Sequence, residues 1–168
     1  MTDTDAETDA RTRVRARCIA VRVGVGLYGL PVEQVQEVIA MRPVTRVFHA
    51  PAALAGVTNL RGEVLPVLEL GILLGAEAET PTADARIVVV REPTGQKRRA
   101  GLRVDELSGL RDAPAELAPA PQTAGERARA AIRGVITEAP PCAVLDVPSL
   151  LDSSLLVYHL LGIHYQHF

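Results

Sequence analysis

Residues 56–70 of the chain read GVTNLRGEVLPVLEL, two short apolar runs joined by a polar corner that contains Arg61 and Gly62. Glycine at position 62 tolerates the positive φ of a tight turn, so the stretch predicts a β-hairpin with Arg61 beside its turn. An arginine side chain carries a permanent charge and a rigid fork of donors, which suits the recognition of another protein. The stretch therefore predicts strands and a candidate contact residue together.

The bulk composition indicates one ordinary domain with an aliphatic core. The chain has 168 residues, a formal net charge of −2 and 3% aromatic residues, with no tryptophan. This length suits one domain, or two very small units that share a core. A slightly acidic protein with few aromatic side chains lacks both the positive field and the stacking surfaces that nucleic acids require. We therefore expect no nucleic-acid partner.

The cysteines and the chain ends indicate a cytoplasmic protein. Cys18 and Cys142 each lie in an apolar, strand-like run, the pattern of buried reduced thiols, although a disulfide between them stays open. The acidic N-terminus does not resemble a secretory signal. The apolar stretch 155–161 is far shorter than the roughly 20 residues of a membrane-spanning helix. We expect no membrane insertion.

Short apolar runs bounded by glycine and proline divide the chain into strands. They predict strands at 18–23, 27–32, 44–47, 86–91, 100–104, 132–137 and 142–147, and one helical turn at 33–38. Residues 1–13 have no apolar period and predict a disordered tail. Residues 153–168 predict a C-terminal helix, capped by Ser153 and Ser154, that lies on the surface or docks a second partner.

The two halves of the chain repeat one pattern. The segment 29–38 resembles the segment 101–110, which lies 72 residues later, and 67–70 resembles 144–147 at a slightly larger shift. Repetition at this length predicts one small β unit built twice, and about five strands per unit suffice for a small barrel without exposed edges. We therefore predict a mainly β domain over 14–152, with barrel one at about 14–77 and barrel two at about 86–152, packed around a shared apolar core.

Several separated motifs together resemble the CheW-like family of chemosensory coupling proteins. They are Val35-Gln36-Glu37-Val38, Gly56 to Gly62, Gly101-Leu102-Arg103-Val104-Asp105 and Val144-Leu145-Asp146, in the order found in the family. The resemblance spans roughly 17–151. It implies two intertwined five-stranded barrels, no catalysis, and simultaneous contact with a CheA-type histidine kinase and with chemoreceptors. The chain departs from the family at Thr58, where isoleucine is frequent, and at Glu63, where a basic or small polar residue is common.

The candidate partner-binding residues are Arg61, Glu37, Val35, Asn59 and Gly62. Each has an alternative structural role. The alternative for Arg61 is a surface ion pair with Glu63 or Glu69 across the hairpin, which is worth only about 0 to 1 kcal/mol. Asn59 is expected to cap the turn through its side chain. Val35 is expected either in the core or at a contact, and Glu37 either in solvent or at a contact.

Other polar residues offer weaker signals. Asp105 and Asp146 follow equivalent strands, so we expect them to accept hydrogen bonds at strand ends or helix starts. A small hydrolase that uses both aspartates is the remote alternative. His159, His164 and His167 fit no common zinc spacing. The sequence thus predicts a non-enzymatic adaptor without metal, cofactor or small-molecule substrate, with service in another chemosensory-type pathway (surface or twitching motility, or second-messenger control) as the alternative.

Overall fold

The structure, a computed structural model, describes residues 16–93, 98–154 and 161–162. The elements are β1 (Ala16–Val23), β2 (Gly26–Pro31), a 3-10 turn (Val32–Gln34), β3 (Val35–Ala40), β4 (Leu54–Leu60), β5 (Glu63–Glu69), α1 (Leu70–Leu73), β6 (Arg86–Arg91), β7 (Arg99–Val104), β8 (Glu106–Ala113), α2 (Glu126–Ala131), β9 (Ile132–Ile136), β10 (Cys142–Leu145) and α3 (Val147–Asp152). The predicted tail at 1–13, and most of the predicted helix at 153–168, lie outside the described residues.

The strands form two five-stranded sheets, which confirms the predicted mainly β fold. Sheet one has the order β8-β1-β2-β10-β9, and sheet two has the order β3-β6-β7-β5-β4. The division into barrel one at 14–77 and barrel two at 86–152 is wrong for the strands, because each sheet takes strands from both halves. The hairpin β1–β2 sits among strands of the second half, and the hairpin β6–β7 sits among strands of the first.

The exchanged hairpins are held by two parallel strand pairs in equivalent registers. Gly29 of β2 lies opposite Val144 of β10 in sheet one. Gly101 of β7 lies opposite Val67 of β5 in sheet two. Because both glycines and both valines are equivalent in the internal repeat, the exchange is symmetric: each half of the chain completes the sheet of the other half. The predicted repetition is therefore confirmed, and its connectivity is intertwined.

The core lies on both faces of the central strands. In β6, Ile87 and Val89 pack inside sheet two, whereas Val88 and Val90 belong to the larger cluster between the sheets. Successive side chains on a strand point to opposite faces, so a strand buried on both faces needs an unbroken apolar run. The main cluster also contains Leu30 of β2 and buried side chains of α1 and α3. The expected shared core is confirmed.

The sheets are open rather than closed barrels, which corrects the predicted barrel closure. Among the described residues, no backbone ladder joins the two end strands of either sheet. Side chains bridge the gaps instead. Arg61 near the end of β4 reaches Glu37 of β3 in sheet two. Arg111 of β8 donates to the carbonyl oxygens of Pro140 and Glu138, beside β9 and β10, in sheet one.

Two local predictions are wrong in detail. The segment 33–38 is a 3-10 turn that ends at Gln34 and is followed by β3, because β3 pairs with β6 as an edge strand. The segment 44–47 forms only one isolated bridge, between Thr45 and Val57, in place of a strand. The hydroxyls of Ser153 and Ser154, at the end of α3, donate to the carbonyl oxygens of Ser149 and Leu150. Their predicted role as caps of a following helix concerns residues 155–160, which lie outside the described residues.

Candidate partner-binding site

The turn between β4 and β5 is a two-residue hairpin turn of the mirror-image type I′. Leu60 pairs with Glu63, and the two residues between them have positive φ, 52° at Arg61 and 83° at Gly62. Type I′ geometry requires positive φ at both positions and matches the twist of the strands. The Asn59 side chain accepts a hydrogen bond of 2.9 Å from the Gly62 amide. The predicted hairpin and the capping role of Asn59 are confirmed.

Arg61 and Glu37 form a forked ion pair. Nη1 and Nη2 of Arg61 donate to Oε1 and Oε2 of Glu37 at 2.6 and 2.7 Å. The Arg61 side chain is 70% exposed, while that of Glu37 is 21% exposed. The hydrogen bonds from Arg61 hold the pKa of Glu37 below its ordinary value, against a smaller opposing effect of desolvation. Two residues 24 positions apart are thus joined into one rigid, charged feature.

The sequence suggested Glu63 or Glu69 as the ion-pair partner of Arg61, but both of these carboxylates pair with other arginines. Glu63 pairs with Arg99 of β7, and Glu69 pairs with Arg103 of the same strand. Both pairs hold neighbouring strands of sheet two together. The carboxylate for Arg61 comes from β3, at the opposite edge of the sheet, because the sheet curls and brings its two edges together.

A β-bulge helps to aim Glu37. The register of β3 against β6 shifts between Val35 and Glu37, so Gln36 is the extra residue of the strand. Such a bulge bends an edge strand and re-aims the next side chain. Val35 is half-buried and packs against the main core cluster. The structure therefore places Val35 at the core, as one of its two expected roles required. A role of Val35 in partner contact stays a prediction.

A strap formed by residues 42–45 covers the outer edge of β4. Arg42 Nη1 donates to the Asn59 carbonyl oxygen at 2.8 Å, and Thr58 Oγ1 donates to the Pro43 carbonyl oxygen at 3.1 Å. Thr45 exchanges two backbone hydrogen bonds of 2.8 Å with Val57. The buried hydroxyl of Thr58 thus has a structural partner, which accounts for this departure from the family pattern. Arg42 could not be predicted from the sequence, since no periodic pattern marks a strap residue.

The other polar candidates have structural roles. The Asp105 carboxylate accepts a hydrogen bond of 2.6 Å from the Gly24 amide, and Asp146 accepts one of 3.3 Å from Ser149 at the start of α3. The predicted acceptor roles are confirmed. In the described part of the chain, no three metal-ligating side chains cluster together. The three C-terminal histidines lie outside that part.

The two cysteines are buried and free. Both pack against Gly29, and burial raises the pKa of the Cys18 thiol to about 11. Their strands, β1 and β10, lie on either side of β2, which puts the two backbones about 9.5 Å apart from the ordinary spacing of strands. A disulfide needs Cα atoms within about 7 Å. The open question of a disulfide is thus resolved in favour of two thiols.

Among the described helices, none has the length and hydropathy needed to cross a membrane.

Comparisons with known proteins agree on one family. The model of the CheW-like domain matches residues 17–155. The chain is 36% identical over 137 residues to the chemotaxis protein CheW of Rhizobium meliloti (strain 1021), covering 80% of this chain and 86% of the relative. It is 38% identical over 117 residues to Protein FrzA of Myxococcus xanthus, covering 68% of this chain and 70% of the relative.

A solved structure has the same fold. The scaffolding protein TtCheW from Thermoanaerobacter tengcongensis superposes with a TM-score of 0.70 and 24% identity, over 80% of this chain and 86% of that chain. This likeness shows the fold, while the sequence matches show the family. With a domain model matched from 17 to 155 and a relative aligned over most of both sequences, the chain belongs to the CheW-like family of chemotaxis coupling proteins.

Proposed function

We propose that the chain couples chemoreceptors to a CheA-type histidine kinase in the cytoplasm, without catalysis of its own. The observation that carries the site assignment is the forked pair of Arg61 and Glu37 on the exposed β4–β5 turn. Val35, Asn59 and Gly62 complete the proposed contact surface. The domain at 14–152 acts as the adaptor, and residues 153–168 form its C-terminal extension.

The rigidity of the pair supports a contact role. A non-glycine residue at positive φ is uncommon, and strained residues cluster at functional sites. Arg61 adopts φ 52° where asparagine or glycine fits the turn more easily. Its guanidinium is also fixed by Glu37, so little conformational entropy remains to be lost on binding. Arginine is among the residues enriched at interface hot spots.

The proposed mechanism is positional. The adaptor holds kinase and receptor in one arrangement, and a shift of the receptor reaches the kinase through packed surfaces. The aspartates of the remote hydrolase alternative are committed to the Gly24 amide and to the start of α3. An adaptor needs neither a nucleophile nor a general base. The structural roles of the two aspartates are therefore compatible with this function.

The test replaces Arg61 by asparagine and measures affinity for the purified CheA-type kinase and for a receptor signalling fragment by calorimetry. Asn-Gly is the preferred dipeptide of a type I′ turn, so R61N keeps the hairpin and removes the guanidinium. We expect a loss of about tenfold or more in affinity for at least one partner. The melting temperature should stay close to that of the unmodified protein, because the better turn residue offsets the loss of an exposed ion pair.

A charge-swapped variant, with E37R and R61E together, separates contact from internal support. The swap preserves an ion pair between positions 37 and 61. A partner that contacts the turn then meets a carboxylate at position 61 in place of a guanidinium. If Arg61 contacts a partner, the swap binds as poorly as R61N. Affinity equal to that of the unmodified protein in both variants would remove the pair from the binding site.

The second candidate function is an adaptor in another chemosensory-type pathway, controlling surface or twitching motility or a second messenger. The observation that favours it is the similarity to Protein FrzA of Myxococcus xanthus, a relative that is not named as a chemotaxis protein. Binding to a panel of CheA-type kinases from different chemosensory pathways of one organism distinguishes the two. The kinase bound most tightly identifies the pathway.

A further inference from the structure

A cavity of about 300 Å³ lies inside sheet one, between the 3-10 turn, the end of β8 and β9. Its apolar wall includes Cys18, Ala113 and Val144, which belong to the buried cluster inside the same sheet. The volume is at the lower end of the range of about 300–1,000 Å³ for ligand pockets in proteins. The cavity is therefore a gap in the packing of a core, and it is large enough for a small ligand.

The internal repeat explains the gap, because sheet two is the same β unit with a filled interior. The side chains nearest to the central glycine of sheet two include those of Ile87 and Leu65. Those nearest to the equivalent glycine of sheet one are Cys18 and Cys142. Protein interiors are packed as densely as organic crystals, so a smaller side chain at an equivalent position leaves space unless a neighbour fills it.

The difference in size recurs at two more equivalent positions. Opposite the central glycine, β6 has Val89 whereas β1 has Ala20. Met41 packs inside sheet two, whereas its equivalent Ala113 lines the cavity. These two residues are equivalent because each lies two positions after the residue that pairs with the β6 isoleucine or with the β1 cysteine. At each of the compared positions the smaller side chain lies in sheet one.

Two opposite charges stand at the mouth of the cavity. Glu33 of the 3-10 turn and Arg133 of β9 both line it, and both residues are exposed. Neither forms an ion pair, with the other or with another side chain of the described residues. Arg133 is the extra residue of a β-bulge, since the register of β9 against β10 skips it. A bulge of this kind re-aims a side chain, which accounts for an arginine of a strand at the cavity.

Both charges lie close to the apolar wall. Burial has the largest effect on the pKa of the Cys18 thiol and raises it; Glu33 raises this pKa further, and Arg133 lowers it. One cavity thus combines an apolar interior with an unpaired anion and an unpaired cation. This combination is complementary to a small molecule that has an apolar part and both charges.

We propose that this cavity binds a small zwitterion with an aliphatic side chain, namely a free aliphatic amino acid. The ligand carboxylate binds the guanidinium of Arg133, whose fork of donors suits it, and the ligand ammonium binds Glu33. The aliphatic side chain packs on Cys18 and Val144. An aliphatic acid would leave Glu33 unpaired, and an aliphatic amine would leave Arg133 unpaired. The inference goes beyond the proposed function, because the cavity lies in sheet one whereas the Arg61 site lies in sheet two.

The experiment titrates the isotope-labelled full chain with L-leucine and follows its resonances by NMR. We expect saturable shifts at Cys18, Ala113 and Val144, and Overhauser contacts between the leucine methyl groups and those of Val144. Isovaleric acid lacks the ammonium and isoamylamine lacks the carboxylate, so each should bind at least about tenfold more weakly than leucine.

Variants at the mouth test the two charges. R133Q and E33Q should each weaken leucine binding about tenfold. The control R129Q should bind leucine as the unmodified protein does, since Arg129 is exposed and close in the chain but does not line the cavity. Unchanged leucine binding in both R133Q and E33Q would overturn the proposal.

A variant of the wall tests the location. A113M places in the cavity the side chain that the equivalent position of sheet two has, so it should abolish the leucine shifts. Its melting temperature should stay the same or rise, because filling a cavity commonly stabilises a protein. Leucine binding that survives in folded A113M would place the ligand elsewhere and overturn the site. If A113M does not fold, the two surface variants decide the question.

Two further results would overturn the proposal. The first is the lack of any saturable shift with leucine up to about 10 mM. The second concerns the occupant, because Ala16 lines the cavity and the chain before it lies outside the described residues. In the ligand-free protein, Overhauser contacts from residues 1–15 to the methyl groups of Val144 would assign the cavity to the N-terminal segment of the chain itself. Affinity for isovaleric acid or isoamylamine equal to that for leucine would refute the zwitterion as the ligand class.

Discussion

Arg61 in the β4–β5 turn and Glu37 on β3 are joined by two hydrogen bonds, of 2.6 and 2.7 Å, that bridge the two edges of sheet two. A single pair therefore has two consequences. It links the ends of an open sheet, and it fixes an exposed guanidinium on the surface proposed for binding. Loss of Arg61 should therefore raise the pKa of Glu37, and loss of Glu37 should release the guanidinium of Arg61.

The first prediction concerns the pKa of Glu37. Because hydrogen bonds from Arg61 lower it, we expect R61Q to raise this pKa toward its ordinary value. R42Q should raise it less, since Arg42 acts on Glu37 only through its more distant charge. Carboxyl chemical shifts followed by NMR across an acid titration measure both effects.

The sign of the linked effect on stability follows. A carboxyl whose pKa is lower in the folded state adds stability above its unfolded pKa, and that stability is lost as the pH falls through the folded pKa. R61Q should therefore reduce the difference in stability between neutral and acid pH. An identical Glu37 titration in R61Q and in the unmodified protein would contradict the assigned ion pair.

The second prediction concerns the equivalent glycines at the centres of the exchanged hairpins. A methyl group at Gly101 would lie 2.5 Å from Cγ2 of Ile87, whereas one at Gly29 would lie 3.1 Å from Cβ of Cys18. We expect G101A to cost about 1–3 kcal/mol of unfolding free energy by overpacking, and G29A to cost less. Urea denaturation measures both.

A double variant tests the cause of the G101A effect. Removing the Ile87 side chain beyond Cβ destabilises by opening a cavity, but it also makes room for the new methyl group. The combined cost of I87A and G101A should be smaller than the sum of the single costs. Additive costs would show that Ile87 is not the obstacle.

The sequence was sufficient to predict the hairpin and the repeat, because both depend on local chemistry. The positive φ at Gly62 and the cap from Asn59 follow from turn preferences that act over four residues. The repeat is visible since Gly29 and Gly101 recur in matching apolar contexts. The family motifs added the intertwined arrangement, which the residues alone did not predict.

The exchange of hairpins and the partner of Arg61 depend on tertiary structure. The hairpin β1–β2 has the same apolar alternation whether it pairs within its own half or with the other half of the chain. Periodicity therefore cannot distinguish the two pairings. Glu37 meets Arg61 only because sheet two curls and because a bulge at Gln36 re-aims the strand. Arg42 gave no signal, since a strap residue follows neither strand nor helix periodicity.

The third prediction concerns the thiols. Burial raises the pKa of Cys18 to about 11 and also raises that of Cys142, so almost no thiolate is present near neutral pH. Because the thiolate is the reactive form, we expect neither cysteine of the folded protein to react with a disulfide reagent at pH 8. Both should react after unfolding in urea. Rapid modification of either thiol under folding conditions would contradict the buried placement.

The fourth prediction concerns Arg98, which is 3% exposed and links the β6–β7 hairpin to α3. Its Nε and Nη2 donate to Glu92 at 2.8 Å each, and its Nη1 lies 2.7 Å from Asp152. Removing one partner of a buried pair leaves an uncompensated charge, so R98M should cost about 3–5 kcal/mol. The shift in the midpoint of urea denaturation gives this cost, provided that the slope of unfolding free energy against urea concentration is unchanged.

Two further variants separate the buried part of this triad from the exposed part. The Asp152 side chain is 61% exposed, whereas that of Glu92 is 8% exposed. D152N should therefore cost no more than about 1 kcal/mol. The double variant R98M/E92L removes both buried charges and should be more stable than R98M alone, because the largest cost in R98M is the stranded carboxylate of Glu92. If R98M/E92L is less stable than R98M, the stranded carboxylate of Glu92 is not the main cost of R98M, which would contradict charge compensation as the role of Arg98 at the junction of the hairpin with α3.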